Sequence, residues 1–77
     1  MDLKQLLTDM AKAIVDNPDE VKVEEHADGD DIEFVLTVAE SDTGMVIGRH
    51  GRIAKAIRQI MKVAANTENK HATVEIK

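Results

Sequence analysis

Apolar residues recur every three or four positions in two segments of the chain, and this spacing predicts two helices. The first covers residues 3 to 16, and its apolar stripe consists of Leu3, Leu6, Leu7, Met10 and Ile14. We expect it to end at Asn17-Pro18, because the residue before a proline is disfavoured in the helical conformation. The second covers residues 51 to 66, and its apolar side consists of Ile53, Ile57, Ile60 and Ala64.

Three other segments alternate between apolar and polar residues, which is typical of strands. They cover residues 21 to 26, 31 to 39 and 71 to 77. The first two flank Ala27-Asp28-Gly29-Asp30, whose Asp-Gly pair favours a hairpin turn. Polar residues such as Glu33 alternate with the apolar ones, so we expect one face of the sheet to contact water. The third strand follows a helical connection, which permits parallel pairing with a strand of the hairpin.

A short helix through Met45, Val46 and Ile47 is predicted between the hairpin and the second long helix, with Ser41 or Asp42 as its N-cap. The run Gly48-Arg49-His50-Gly51 interrupts it, because glycine tolerates the positive φ of a tight corner. The resulting order is α-β-β-α-α-β. Residues 1 to 77 are therefore predicted to form a single α+β domain, arranged as a two-layer sandwich.

The composition excludes several classes of function. The 77 residues include no cysteine, so disulfides and thiol catalysis are excluded. No apolar run approaches the ~20 residues that span a membrane, and charged residues interrupt the N-terminal apolar stretch, so we expect a cytoplasmic protein. The histidines at positions 26, 50 and 71 lack the spacing of metal ligands. No nucleophile and base are paired, so we predict no cofactor, no metal, no small-molecule substrate and no enzymatic activity.

The charge is unevenly distributed along the chain. The net charge is −5, yet residues 43 to 67 contain five basic residues and no acidic residue. Acidic surroundings discourage nonspecific binding of polyanions, so we expect a polyanion to bind at this basic segment. Phe34 is the only aromatic residue. We therefore expect no recognition by stacking of bases on aromatic rings, as in an RRM, and we expect base contacts to be aliphatic or hydrogen-bonded.

The turn flanked by glycines combines the features of a phosphate-binding site. Gly48 and Gly51 have no side chains, so a sugar-phosphate backbone can approach the main chain. The free amides and the positive end of the second long helix point toward the turn. Arg49 adds a permanent charge, and His50 adds a charge that depends on pH near neutrality. The predicted neighbours are Arg52 and Lys55 for phosphates, and Val46, Ile47 and Ile53, joined by Met45 and Ala54, for the bases of a single strand.

The run Val-Ile-Gly-Arg-His-Gly-Arg-Ile-Ala-Lys-Ala-Ile, residues 46 to 57, resembles the signature of the KH family. The element order is similar to the type II arrangement of bacterial KH domains, and the resemblance covers essentially the whole chain, as in small bacterial proteins with a single KH domain. It implies a mixed three-stranded sheet with all three helices on one face. It also implies binding of about four nucleotides of single-stranded RNA at the GxxG turn. His50 departs from the family pattern, in which a permanent cation or a small residue is usual.

The resemblance also has implications for partners and cellular role. It implies a homodimer, pairing with a larger bacterial KH-domain protein, and roles in RNA regulation and in the control of cell elongation and division. With few aromatic residues, we expect an RNA chaperone or regulator of low sequence specificity. On the second long helix, the small apolar flank formed by Ala54, Met61 and Ala65 is predicted to be a dimer contact.

Two other functions remain open from the residues. A basic helix after a glycine turn is compatible with a helix-turn-helix protein that binds duplex DNA. The same fold could also serve as a protein-interaction adaptor in cell elongation and division, with no role for RNA. Preference for single-stranded RNA over duplex DNA separates the first alternative from RNA binding, and mutation of the turn separates the second.

Overall fold

The computed structural model describes residues 1–48 and 51–77 of the chain. It confirms an α+β fold in the predicted order α-β-β-α-α-β, with a short 3-10 turn after the first helix. The elements are α1 (Leu3–Ile14), the 3-10 turn (Pro18–Glu20), β1 (Lys22–Asp28), β2 (Asp31–Thr37), α2 (Glu40–Ile47), α3 (Arg52–Asn66) and β3 (His71–Ile76). Within the described residues, no helix has the length and apolar composition needed to cross a membrane.

The sheet has the strand order β1-β2-β3 and is mixed, as predicted. β1 pairs with β2 in an antiparallel hairpin, and β2 pairs with β3 in parallel. Phe34 in the central strand lies opposite Glu25 on one side and Val74 on the other. Gly29 has a φ of +63° in the hairpin turn, which explains why this position favours glycine.

The core lies between the helices and one face of the sheet. Ile32, Phe34 and Leu36 of β2 point into it, because alternate residues of a strand face the same side. Leu7 of α1 is fully buried against the same cluster. The opposite face of the sheet contacts water, as predicted, and its residues are mainly charged and exposed.

The predicted start of α2 is wrong. The helix begins at Glu40 and takes Ala39 as its N-cap, and no side chain caps it. Ser41 and Asp42 therefore lie inside the first turn of the helix. The physical reason is that the Asp42 carboxylate accepts hydrogen bonds from residues far away along the chain, so it is not available to the amides of its own helix.

The predicted buried face of α3 needs correction as well. Ile57 and Ala64 are buried, but Ile60 is 46% exposed. The three residues of the predicted dimer contact, Ala54, Met61 and Ala65, are buried in the core, with Met61 and Ala65 at 0% exposure. That contact is therefore wrong for this fold, because side chains with no accessible surface cannot touch a second copy.

Candidate nucleic-acid interface

The main chain turns sharply between α2 and α3. The Gly48 N–H donates to the carbonyl of Gly44 at 2.8 Å and closes α2, and the Gly51 N–H donates to the carbonyl of Gly48 at 3.3 Å. Gly48 has φ +48° and ψ −177°, and Gly51 has φ +62° and ψ 28°. Arg49 and His50, predicted to contact phosphate, lie outside the described residues. The two glycines that flank them define where the corner is.

The two glycines are required for different reasons. A Cβ added at Gly48 would lie 2.7 Å from the main-chain carbonyl oxygen of Met45, so the fold itself excludes a side chain there. A Cβ added at Gly51 would meet no atom within 4 Å among the described residues beyond its chain neighbours. With respect to this part of the chain, an external group can approach the main chain at Gly51 closely.

The first turn of α3 is suited to an anion. Its N-cap is Gly51, which has no side chain to satisfy the free amides, and the turn contains no acidic residue. Unpaired amides and the helix dipole give such an end a partial positive charge. Arg52 and Lys55 are exposed on this part of the helix and add two full charges. Among the predicted phosphate-binding residues that the structure describes, Gly51, Arg52 and Lys55 therefore lie together at the start of α3.

The two basic residues farther along α3 differ in their contacts. Lys62 is exposed. Arg58, in contrast, donates from Nε to the carbonyl oxygen of Val74 at 3.2 Å. This hydrogen bond attaches α3 to β3, so Arg58 contributes to the fold and its guanidinium is partly committed.

The apolar residues beside the turn divide into two groups. Ile47 and Met45 are 45% and 37% exposed, and Ile53 is partly buried. These three side chains can offer apolar surface to a base. Val46 and Ala54, at 1% and 3% exposure, belong to the core. Their predicted contact with bases is wrong, because α2 and α3 turn these two positions toward the sheet.

Asp42, which the sequence suggests as an N-cap of α2, forms long-range hydrogen bonds instead. Its carboxylate accepts from the main-chain N–H groups of Asp16 and Asn17, at 3.2 and 3.0 Å, and from Nδ2 of Asn17 at 3.1 Å. It is 2% exposed. The carboxylate thus connects the first turn of α2 to the loop that follows α1.

The hydrogen bonds also set the charge state of Asp42. Burial alone would raise its pKa, but the bonds from the Asn17 side chain and from the Asp16 and Asn17 main chain outweigh burial, and the pKa lies below its ordinary value. A lowered folded-state pKa means that the carboxylate stabilises the fold above the unfolded value of about 3.9. This contribution is lost as the pH falls through the lowered pKa.

The fold and the turn define a class of protein. Helices α2 and α3 are joined by the GxxG sequence and pack on a three-stranded sheet, whose last strand runs parallel to the central one. This is a type II KH arrangement. The chain belongs to the KhpA/KhpB KH-domain family, whose model matches residues 4–76. This is consistent with the resemblance of residues 46 to 57 to the KH signature.

Curated relatives of nearly the same length support the membership. The chain is 54% identical over 74 residues to the RNA-binding protein KhpA of Clostridium acetobutylicum, an alignment that covers 96% of this chain and 99% of the relative. It is 40% identical to the protein of the same name from Halalkalibacterium halodurans, covering 96% and 97%. For the one from Chlamydia trachomatis the identity is 38%, covering 96% and 95%.

A solved structure shows the same fold at greater distance. Aquifex aeolicus Era, crystallised with GDP and aluminium fluoride, matches with a TM-score of 0.69 and 16% identity. The match covers 96% of this chain and 29% of the Era chain. At this identity the likeness concerns the fold alone.

Proposed function

We propose that this protein binds single-stranded RNA at the GxxG turn. The observation that carries the proposal is the N-terminus of α3, where Gly51 as N-cap has no side chain, an added Cβ would meet none of the described residues beyond its chain neighbours, and Arg52 and Lys55 are exposed. Anions bind readily at such helix ends. The curated relatives are named RNA-binding proteins, which supports RNA as the polyanion.

The contacts divide between phosphates and bases. The phosphates contact the amides at the start of α3 and the side chains of Arg49, His50, Arg52 and Lys55. Ile47 and Ile53 contact the bases, with Met45 at the edge. Because KH domains hold about four backbone nucleotides at this turn, we propose the same length here. Only an unpaired strand exposes its bases in this way, so the ligand is single-stranded.

The expected affinity is low and depends little on sequence. Base stacking on aromatic rings contributes ~1–3 kcal/mol per base in other single-strand binders. Here Phe34 is the only aromatic residue and it is fully buried, so this contribution is absent. Phosphate contacts then dominate, and a protein of this kind suits an RNA chaperone or regulator that acts on many RNAs.

Reversal of charge at the turn tests the proposal. We expect Arg49→Asp combined with His50→Asp to weaken binding of a short single-stranded RNA by more than about tenfold, because a hydrogen bond to a charged group contributes ~1.5–3 kcal/mol. The dependence of affinity on salt should also become shallower, by ~0.7 in the logarithmic slope for each phosphate contact that is lost. Fluorescence anisotropy at several salt concentrations measures both quantities.

The matched control changes the net charge equally at a distance from the turn. Lys4→Asp combined with Lys12→Gln alters the charge by the same −3 on exposed positions of α1. This variant should bind RNA almost as well as the unmodified chain. Equal losses in both variants would show a general charge effect, and no loss in either would favour the protein-interaction adaptor. A preference for duplex DNA would favour the helix-turn-helix alternative.

We further propose that two copies pair through an apolar groove between α1 and α3, away from the GxxG turn. Met1, Ile60 and Val63 are 78%, 46% and 54% exposed, and they account for three of the exposed large apolar side chains. Together with Leu6, they line a groove of about 440 Å³. This groove replaces the predicted dimer contact, whose residues are buried.

The homodimer that the KH resemblance implies favours a second copy as the occupant of the groove. A twofold axis through the groove places the exposed Met1, Ile60 and Val63 of one copy against those of the other. The groove can therefore pair with itself, as an isologous interface requires.

Val63→Asp tests this pairing. We expect the unmodified chain to sediment as a dimer and the variant as a folded monomer, because the substitution would place an unpaired carboxylate in the centre of an apolar interface. Analytical ultracentrifugation gives the mass, and circular dichroism verifies the fold. An unmodified chain that is monomeric at high concentration would contradict the pairing, and the groove would then suit the larger KH-domain partner.

A further inference from the structure

Asp42 is the only charged side chain that is buried among residues 1–48 and 51–77. Its three hydrogen bonds cross from α2 to the segment just after α1, which is 25 and 26 residues earlier in the chain. Asp42 is 2% exposed, so its carboxylate is not accessible to an RNA. The carboxylate has a purpose other than ligand contact.

We propose that Asp42 is a positioning residue for the RNA-binding turn, which rests on the function proposed above. α2 has eight residues and buries only two side chains, Asp42 and Val46. Val46 fixes the second half of the helix against the core, and the Asp42 carboxylate fixes the first half. These two attachments, one turn apart, determine the direction in which α2 delivers the chain to Gly48.

Loss of the Asp42 attachment leaves α2 free to pivot about Val46, which stays buried in the core. Gly48 follows Val46 by two residues, which corresponds to about 3 Å along a helix, so a tilt of about 10° displaces Gly48 by roughly 0.5 Å. Hydrogen bonds from main-chain amides operate over a range of only ~0.5 Å in distance. A displacement of this size therefore separates the amides from a phosphate that they would otherwise contact.

The acceptor geometry explains why a carboxylate is needed. One oxygen accepts from the Asp16 N–H, and the other accepts from both nitrogens of Asn17. An amide group of the same shape has only one acceptor oxygen, and its nitrogen would face a donor. Asp42→Asn therefore keeps the volume of the side chain but removes at least one of the bonds that hold α2.

The test compares RNA binding among folded variants. At a temperature where circular dichroism shows every variant to be folded, Asp42→Asn should bind single-stranded RNA about tenfold more weakly than the unmodified chain, because a substitution outside a binding site can change the affinity of that site. Asn17→Ala removes only the side-chain bond and should give a smaller loss. If Asp42→Asn does not fold, Asn17→Ala alone tests whether the bonds to Asp42 affect RNA binding.

A matched control separates positioning from simple loss of stability. Val74→Ala removes a buried side chain from β3, which packs mainly against β2 and α3, and should destabilise the fold without weakening RNA binding. The amide resonances of Gly48 and Gly51, observed by NMR without RNA, should shift in Asp42→Asn and not in Val74→Ala. This readout remains valid even if the chain does not bind RNA. Unchanged resonances and unchanged affinity in folded Asp42→Asn and Asn17→Ala would overturn the proposal.

Discussion

Met61→Asp is expected to leave the chain unfolded. Met61 is 0% exposed and packs in the core between α3 and the sheet. The substitution removes a buried apolar side chain, which costs ~2–5 kcal/mol when the replacement is alanine, and it adds the cost of an unpaired carboxylate in an apolar site. A fold of this length is stable by roughly 4–12 kcal/mol, so the combined loss is comparable to the whole. Far-ultraviolet circular dichroism should show loss of helix signal.

The control for this prediction lies two residues away on the same helix. Val63 is 54% exposed, and Val63→Asp should retain the fold because its carboxylate remains in water. Met61→Ala should fold but unfold at lower urea concentration. A Met61→Asp variant that is folded and monomeric would contradict the buried position of Met61. Such a result would support the dimer contact predicted from the sequence.

Gly48→Ala is expected to cause the second large effect. Its φ of +48° and ψ of −177° lie in a region that only glycine occupies readily, and a Cβ would come within 2.7 Å of the Met45 carbonyl oxygen. Backbone strain of this kind costs ~1–3 kcal/mol before the steric conflict is added. We expect urea unfolding to show a loss of at least this size, together with loss of RNA binding, since the turn must rearrange.

Two other glycines provide controls with distinct outcomes. Gly51→Ala has space for its Cβ but a φ of +62°, so we expect a stability loss of about 1–2 kcal/mol and weaker RNA binding. Gly44→Ala lies within α2 and has free space around the added methyl group, so it should stabilise the fold by ~0.4–1 kcal/mol. If Gly48→Ala were as stable as Gly44→Ala, the close approach at Gly48 would be contradicted.

The periodicity of the sequence predicts the order of elements well, but it does not predict the buried side of α3. The predicted apolar stripe includes the large residues Ile53 and Ile60. In the fold, the buried side centres on Met61 and includes small alanines such as Ala65, which allow the helix to approach the sheet closely. Adjacent positions on a helix differ by only ~100°, so the choice between Ile60 and Met61 depends on tertiary packing.

The role of Asp42 could not be found from local patterns for a related reason. Aspartate near a helix start is a common N-cap, because its carboxylate usually accepts from amides two or three residues later. Here the donors belong to Asp16 and Asn17, which precede it by 26 and 25 residues. Contacts at such separation leave no spacing in the sequence, so only the folded arrangement reveals them.

The parallel pairing of β2 with β3 has a consequence for how the protein folds. Asp31 pairs with His71, and the same separation of forty residues recurs along the whole register. The hairpin of β1 and β2, in contrast, joins neighbours through a two-residue turn. Closing a long loop costs more chain entropy and proceeds more slowly than closing a hairpin. Because α2, the GxxG turn and α3 all lie inside that loop, we expect completion of the sheet and organisation of the candidate interface to occur together, late in folding.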